Sequence, residues 1–113
     1  MRWLVPLGVM ACILIGTSLP HPPPLPGQSD KVVHFSGYAS LGAALAWAAR
    51  VSTLRRALKW AVVASMIGAA DELHQLFIPS RSCDVRDWMA DTAGAVTGLS
   101  LVTALARRRE PVA

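Results

Sequence analysis

Four apolar runs separated by short polar breaks set the layout of the chain. Trp3 to Leu19 is a run of 17 residues preceded by Arg2, and Val32 to Ala49 is a run of 18. At 1.5 Å per residue the second run makes a helix of about 27 Å, the length needed to cross a hydrocarbon core. A third run extends from Lys59-Trp60 to about Ile78, where Pro79 ends it, and a fourth from about Asp87 to Ala106. The pattern predicts an all-α fold: a single domain over 1–113, built as a four-transmembrane-helix bundle with spans at about 3–19, 32–49, 60–78 and 87–106.

The breaks carry their own signals. Five prolines fall between Pro20 and Pro26, and proline disfavours helix both at itself and at the residue before it, so 20–28 reads as an extended connector. His21 within it reads as solvated. Asp30 is placed to cap the second helix, and Arg50 to Arg56 forms a short basic turn. The first run, with its basic start, also fits a secretory signal. It ends in Thr17-Ser18-Leu19-Pro20 without a small-x-small cleavage site, which favours a retained span.

Polar residues inside the runs recur at helical spacing. Lys31, His34 and Tyr38 share one face of the second helix; Asp71, Glu72 and Gln75 cluster on the third, with His74 at the edge of their arc. Asp87, Asp91, Gly94 and Gly98 fall on one face of the fourth. Gly94-x-x-x-Gly98 is a seam of small residues that lets helices approach closely. Asp87 and Asp91 therefore point into the bundle. The first helix offers only Thr17 and Ser18 and reads as a wall.

Charge then fixes an orientation. Arg2, Arg50, Arg55, Arg56, Lys59 and Arg107 to Arg109 lie at one set of helix ends with Glu110 as the one acid; Lys31, Arg81 and Arg86 lie at the other with six acids. This is the positive-inside pattern, with both termini cytoplasmic and the acidic end outward. The formal net charge of +4 is thus no nucleic-acid footprint, since the outer loops are short and acidic. Composition agrees: 53% of residues are hydrophobic and 16% charged, a membrane rather than a soluble balance. Cys12, in mid-span, and Cys83, in an outer loop, differ in expected depth by about 10 Å, more than a disulfide bridges.

Ionisable groups in such segments are costly to keep and mark a functional site. The site expected is an outward polar pocket lined by Asp30, Lys31, His34, Tyr38, Asp71, Glu72, Gln75, Arg81, Asp84, Asp87 and Asp91.

These residues also carry a family pattern. Asp30-Lys31-x-x-His34-Phe35-x-x-Tyr38, Glu72-x-x-Gln75-x-Phe77-x-Pro79-x-Arg81 and Asp84-x-x-Asp87 with Gly94 resemble the VanZ-like family of small bacterial membrane proteins, over about Asp30 to Gly98. The resemblance implies four spans in the bacterial inner (cytoplasmic) membrane and, for the name-giving member, low-level resistance to the glycopeptide teicoplanin. It implies no established biochemical activity. The family more often has asparagine at Asp91, which points to hydrogen bonding there, and glycine at Ser80.

The residues themselves admit several chemistries. Glu72 or Asp71 is a candidate general acid or base with His34 assisting, against the plainer role of an ion-paired helix link with Lys31 or Arg81. Arg81 and Lys31 suit an anionic group; Tyr38, Gln75 and Asp91 offer hydrogen bonds, and Asp84 and Asp87 also suit the start of the fourth helix. Asp, Glu and His together could take a divalent ion, but no HExxH or paired cysteines are present, so no metal or cofactor is assigned. The function expected is binding of a cell-envelope component, membrane lipid or amphiphilic antibiotic. The alternatives are an enzyme acting on a lipid-linked or phosphate-bearing envelope substrate, and a proton-linked transporter, which would need a homo-oligomer.

Overall fold

The computed structural model describes residues 1–18, 29–78 and 83–109, with backbone alone at 29 and 30. Among them are four α-helices and no strand: α1 (Leu4–Ser18), α2 (Ser29–Ala48), α3 (Leu54–Gln75) and α4 (Val85–Arg108). The proline-rich connector with His21, the stop at Pro79, and Arg81 lie outside the described residues.

Caps move two boundaries from their expected places. Thr53 is the N-cap of α3, its hydroxyl accepting the Arg56 N–H at 3.3 Å. The helix therefore begins at Leu54, five residues before the expected Lys59, and Arg55 and Arg56 belong to its first turn rather than to a loop. Its last residue is Gln75 rather than the expected Ile78, so Asp71 sits about 6 Å from the helix end. Asp84 caps α4 by accepting the Arg86 N–H at 2.9 Å, and α4 runs on to Arg108. The turn after α2 closes as a Schellman motif, with Val51 N–H on Ala46 O at 2.9 Å and Arg50 N–H on Trp47 O at 3.3 Å. Arg50 holds the left-handed position, φ 53°, and the Arg56 guanidinium covers the free carbonyls of Ala49 and Arg50.

The helices alternate in direction. Arg2 donates to the Trp47 carbonyl and Thr17 reaches Asp71, so α1 is antiparallel to α2 and parallel to α3. Trp88 Nε1 donates to Ser65 O at 3.0 Å while the Asp84 N–H donates to Glu72, making α3 and α4 antiparallel. Helices α2 and α4 run parallel and meet most closely. A Cβ at Gly94 would fall on the Phe35 carbonyl, one at Gly98 on the Ala39 carbonyl, and one at Gly42 on the Ala95 carbonyl. The small-residue seam is thus reciprocal, with Gly42 its α2 half.

Burial is inverted relative to a water-soluble bundle. Tyr38, Leu41, Leu45, Ala64 and Ala95 form a core, yet Asp71, Glu72, Gln75, Asp87 and Asp91 are equally buried while Val62, Met66, Leu101 and Leu105 are exposed. Among the described residues, one helix, α4, is long and apolar enough to cross a membrane; α1 is apolar but shorter. Helix α3 carries Arg55, Arg56, Lys59, Asp71 and Glu72 within its length. The arginine end holds Arg2 stacked 4.0 Å over the Trp47 ring and a cavity of about 940 Å³ lined in part by Arg2, Arg50 and Arg109. The acidic residues lie at the opposite end.

Candidate polar site

Four helices bring polar side chains to one level. Lys31 and His34 lie in the first two turns of α2, Asp71, Glu72 and Gln75 in the last turns of α3, Asp87 and Asp91 in the first two of α4, and Thr17 near the end of α1. Spacing along α2 and α4 explains the match. Each turn of the parallel pair sets one position against another: Gly98 meets Ala39, Gly94 meets Phe35, Asp91 meets His34, and Asp87 meets Lys31. The glycines hold the backbones close, and the acids continue their face upward into the site.

At the rim, Lys31 pairs with Asp87 and, at 3.3 Å, with Asp84. The Asp84 carboxyl is held below the usual carboxylate range, chiefly by the Arg86 backbone N–H it accepts, with Lys31 adding to this against the opposing effect of burial. Deeper, His34 Nδ1 lies 2.7 Å from Asp91 Oδ1 and 4.0 Å from Glu72 Oε1, while its Nε2 lies 3.7 Å from Asp87 Oδ2. Glu72 Oε2 accepts the Asp84 N–H at 3.1 Å, and Gln75 reaches Glu72 Oε1 at 3.5 Å. Asp91 is fully buried, and its Oδ2 has no hydrogen-bond partner.

Asp71 belongs to a separate branch. Thr17 Oγ1 donates to its Oδ1 at 2.7 Å and Tyr38 Oη to its Oδ2 at 3.3 Å. Helix α1 is therefore more than the expected wall, and Thr17 joins the site. A lone hydroxyl near the end of an apolar helix has no periodicity to betray it. Two hydroxyls donating to one carboxylate make a tie between three helices.

Of the expected residues, Lys31, His34, Tyr38, Asp71, Glu72, Gln75, Asp84, Asp87 and Asp91 come together. His74 points away and is exposed. The side chain of Asp30 and the whole of Arg81 are outside the described residues. Cys12 and Cys83 are both free and exposed. The carboxylates and imidazole can accept or pass a proton, hold a cation, or meet a cationic group; Lys31 can meet an anion.

The VanZ/LLP1 family model matches residues 2–106. The chain belongs to the VanZ/LLP1 family. No curated protein and no solved structure matches it. The match takes in α1 to α3 and α4 of this VanZ/LLP1 protein up to its last two residues, and so the whole of the described polar site.

Proposed function

We propose that this VanZ/LLP1 protein is a multi-pass protein of the bacterial cytoplasmic membrane whose polar site opens outward and binds an amphiphilic cell-envelope component or a lipid-tailed antibiotic of the glycopeptide kind. The inversion of burial carries this reading: ionisable side chains from three helices, joined by Thr17 of α1, are enclosed at one end of a bundle whose sides are apolar. In lipid, exposed Val62, Met66 and Leu101 cost nothing, and buried carboxylates are kept only for use. Short helices and the charges of α3 fit a bundle whose polar groups face inward and whose arginines stay in the headgroup layer. An anionic group would meet Lys31 at the rim, and an apolar tail would lie between helices.

The test is an envelope phenotype. Cells lacking the protein are complemented with wild type, Glu72→Gln or Lys31→Ala, and membrane insertion is checked alongside susceptibility to a lipid-tailed glycopeptide. Both variants are expected to insert and fail to complement. Normal complementation by both would sink the reading.

A second reading has one specific observation in its favour. The His34–Asp91 pair with Glu72 4.0 Å away is an acid–base set, suited to an enzyme acting on a lipid-linked or phosphate-bearing envelope substrate. It calls for turnover of such a lipid by purified protein, abolished by Glu72→Gln.

A further inference from the structure

We propose that His34, Glu72 and Asp91 form a binding site for one divalent transition-metal ion of the zinc or manganese type. This deepens the reading above, because the ion would sit within the same polar site, and it rests on that reading only in sharing the residues.

Three observations carry it. The first is geometry: one ligand atom from each of the three side chains, on three different helices, lies within 4.8 Å of the others. Donors bound at about 2.0–2.2 Å lie at most about 4.4 Å apart across an ion. In a tetrahedral shell the same donors stand about 3.4 Å apart, so side-chain shifts of about an ångström would close this set. Of the pairs from His34 Nδ1, the one at 2.7 Å would open and the one at 4.0 Å would tighten on ligation.

The second is the state of Asp91. Its Oδ2 is enclosed, has no hydrogen-bond partner, and lies on the α3 side of the cluster, where a Cβ at Gly68 would stand 3.4 Å away. An unpaired buried carboxylate oxygen is among the costliest groups to leave unmet. Glycine at 68 keeps a side chain from pressing on it. Among the described residues, Lys31 and Arg86 pair with Asp84 and Asp87 at the rim, and no lysine or arginine reaches Glu72 or Asp91. A cation at this oxygen would supply the partner it lacks.

The third is the orientation of the imidazole. His34 turns Nδ1 toward Glu72 and Asp91 and Nε2 toward Asp87 Oδ2 at 3.7 Å. Nδ1 hydrogen-bonds Asp91 Oδ1 at 2.7 Å, so an ion would take the place of that proton and leave Nε2–H on the side of Asp87, where a metal-bound histidine usually finds its support. One imidazole and two carboxylates favour borderline ions over calcium or magnesium, which take oxygen donors in larger number. Water or a ligand headgroup would complete the shell.

Purified protein in detergent, stripped with chelator, is titrated calorimetrically with Zn²⁺ and with Mn²⁺. One ion per chain is expected, with affinity at least about tenfold weaker in Glu72→Gln, Asp91→Asn and His34→Gln, and reduced in Asp87→Asn by about the 10-fold or more typical of an outer-shell partner. Bound metal should also raise the melting temperature of wild type and not of Glu72→Gln. Circular dichroism identifies any variant that loses its helices, and the near-isosteric Asp91→Asn and Glu72→Gln keep the comparison open. Absence of binding of both ions, or wild-type affinity retained in Glu72→Gln and Asp91→Asn, overturns the site. Failure of the two readings is separable: no metal binding with an envelope phenotype that needs Glu72 removes the ion alone. Metal binding lost in Glu72→Gln with complementation intact supports the ion and removes the amphiphile.

Discussion

His34 and Asp91 face one another across the α2–α4 seam, Nδ1 to Oδ1 at 2.7 Å, one turn from where Gly94 abuts the Phe35 carbonyl. The two facts are linked. Short polar side chains can meet across a helix pair only where the backbones are close, and the close approach is set by the glycines below them. The seam is thus part of the site's geometry.

Gly94→Ala and Gly98→Ala place a methyl on backbone rather than on a yielding side chain, so α2 and α4 must separate. Each is expected to destabilise by about 1–3 kcal/mol, the usual scale of overpacking. Gly8, with nothing within 4 Å of an added Cβ, is the control, and Gly8→Ala should be neutral or slightly stabilising. Thermal melts in detergent read the difference.

Asp71 receives a hydroxyl at each oxygen, from Thr17 and Tyr38. Tyr38→Phe and Asp71→Asn should each cost on the order of 1–3 kcal/mol, since each leaves a buried partner unmet. In the double variant the losses should overlap, giving a coupling of about 0.5 kcal/mol or more. Strict additivity in a double-mutant cycle would remove the tie.

What the sequence disclosed follows from which signals are periodic. Lys31 and His34, and likewise Asp87 and Asp91, are legible as pairs because residues three and four apart share a helix face, and the Gly94–Gly98 seam says which face is inward. Gly42 as the other half of that seam, and Thr17 as a donor to Asp71, leave no comparable trace, since each is a single residue whose partner is distant in the chain. The start of α3 was hidden for another reason. Three arginines near Thr53 look like a loop, and only the cap bond to Arg56 N–H with the Arg56 guanidinium folded back on Ala49 and Arg50 shows them to be a helix start.

Arg50 occupies a left-handed position, φ 53°, that costs an L-residue about 1 kcal/mol and a glycine little. Arg50→Gly should therefore be neutral to stabilising by about 0.5–1 kcal/mol. A loss of more than 1 kcal/mol in denaturant unfolding would mean that the Arg50 side chain contributes more than its backbone strain costs.

Asp84 sets a pH dependence. Its carboxyl is held below the ordinary range by the Arg86 N–H and by Lys31, so the unfolded chain takes up the proton first. The sign follows: this contribution is fully present above the unfolded value of about 3.9 and is lost as pH falls through the lower folded value. Asp84→Asn keeps a capping side chain but removes the charge. Its unfolding midpoint should fall less steeply than wild type's between about pH 5 and 3; parallel curves would place the acid sensitivity elsewhere.

Topology has a direct chemical reading in Cys83, which is free, exposed and adjacent to the cap of α4 at the acidic end of the bundle. If that end faces outward, a membrane-impermeant maleimide should label Cys83 in intact spheroplasts. Cys12 lies mid-way along α1, which in a bilayer would put it out of reach of a polar reagent. Cys83→Ser should therefore abolish labelling, and Cys12→Ser should leave it unchanged. A cysteine introduced at Ser52, in the turn between α2 and α3 at the arginine end, supplies the opposite case: it should label only after the membrane is opened. Labelling of that position in intact spheroplasts, with protection of Cys83, would invert the bundle and turn the polar site toward the cytoplasm, where an extracellular antibiotic could not reach it directly.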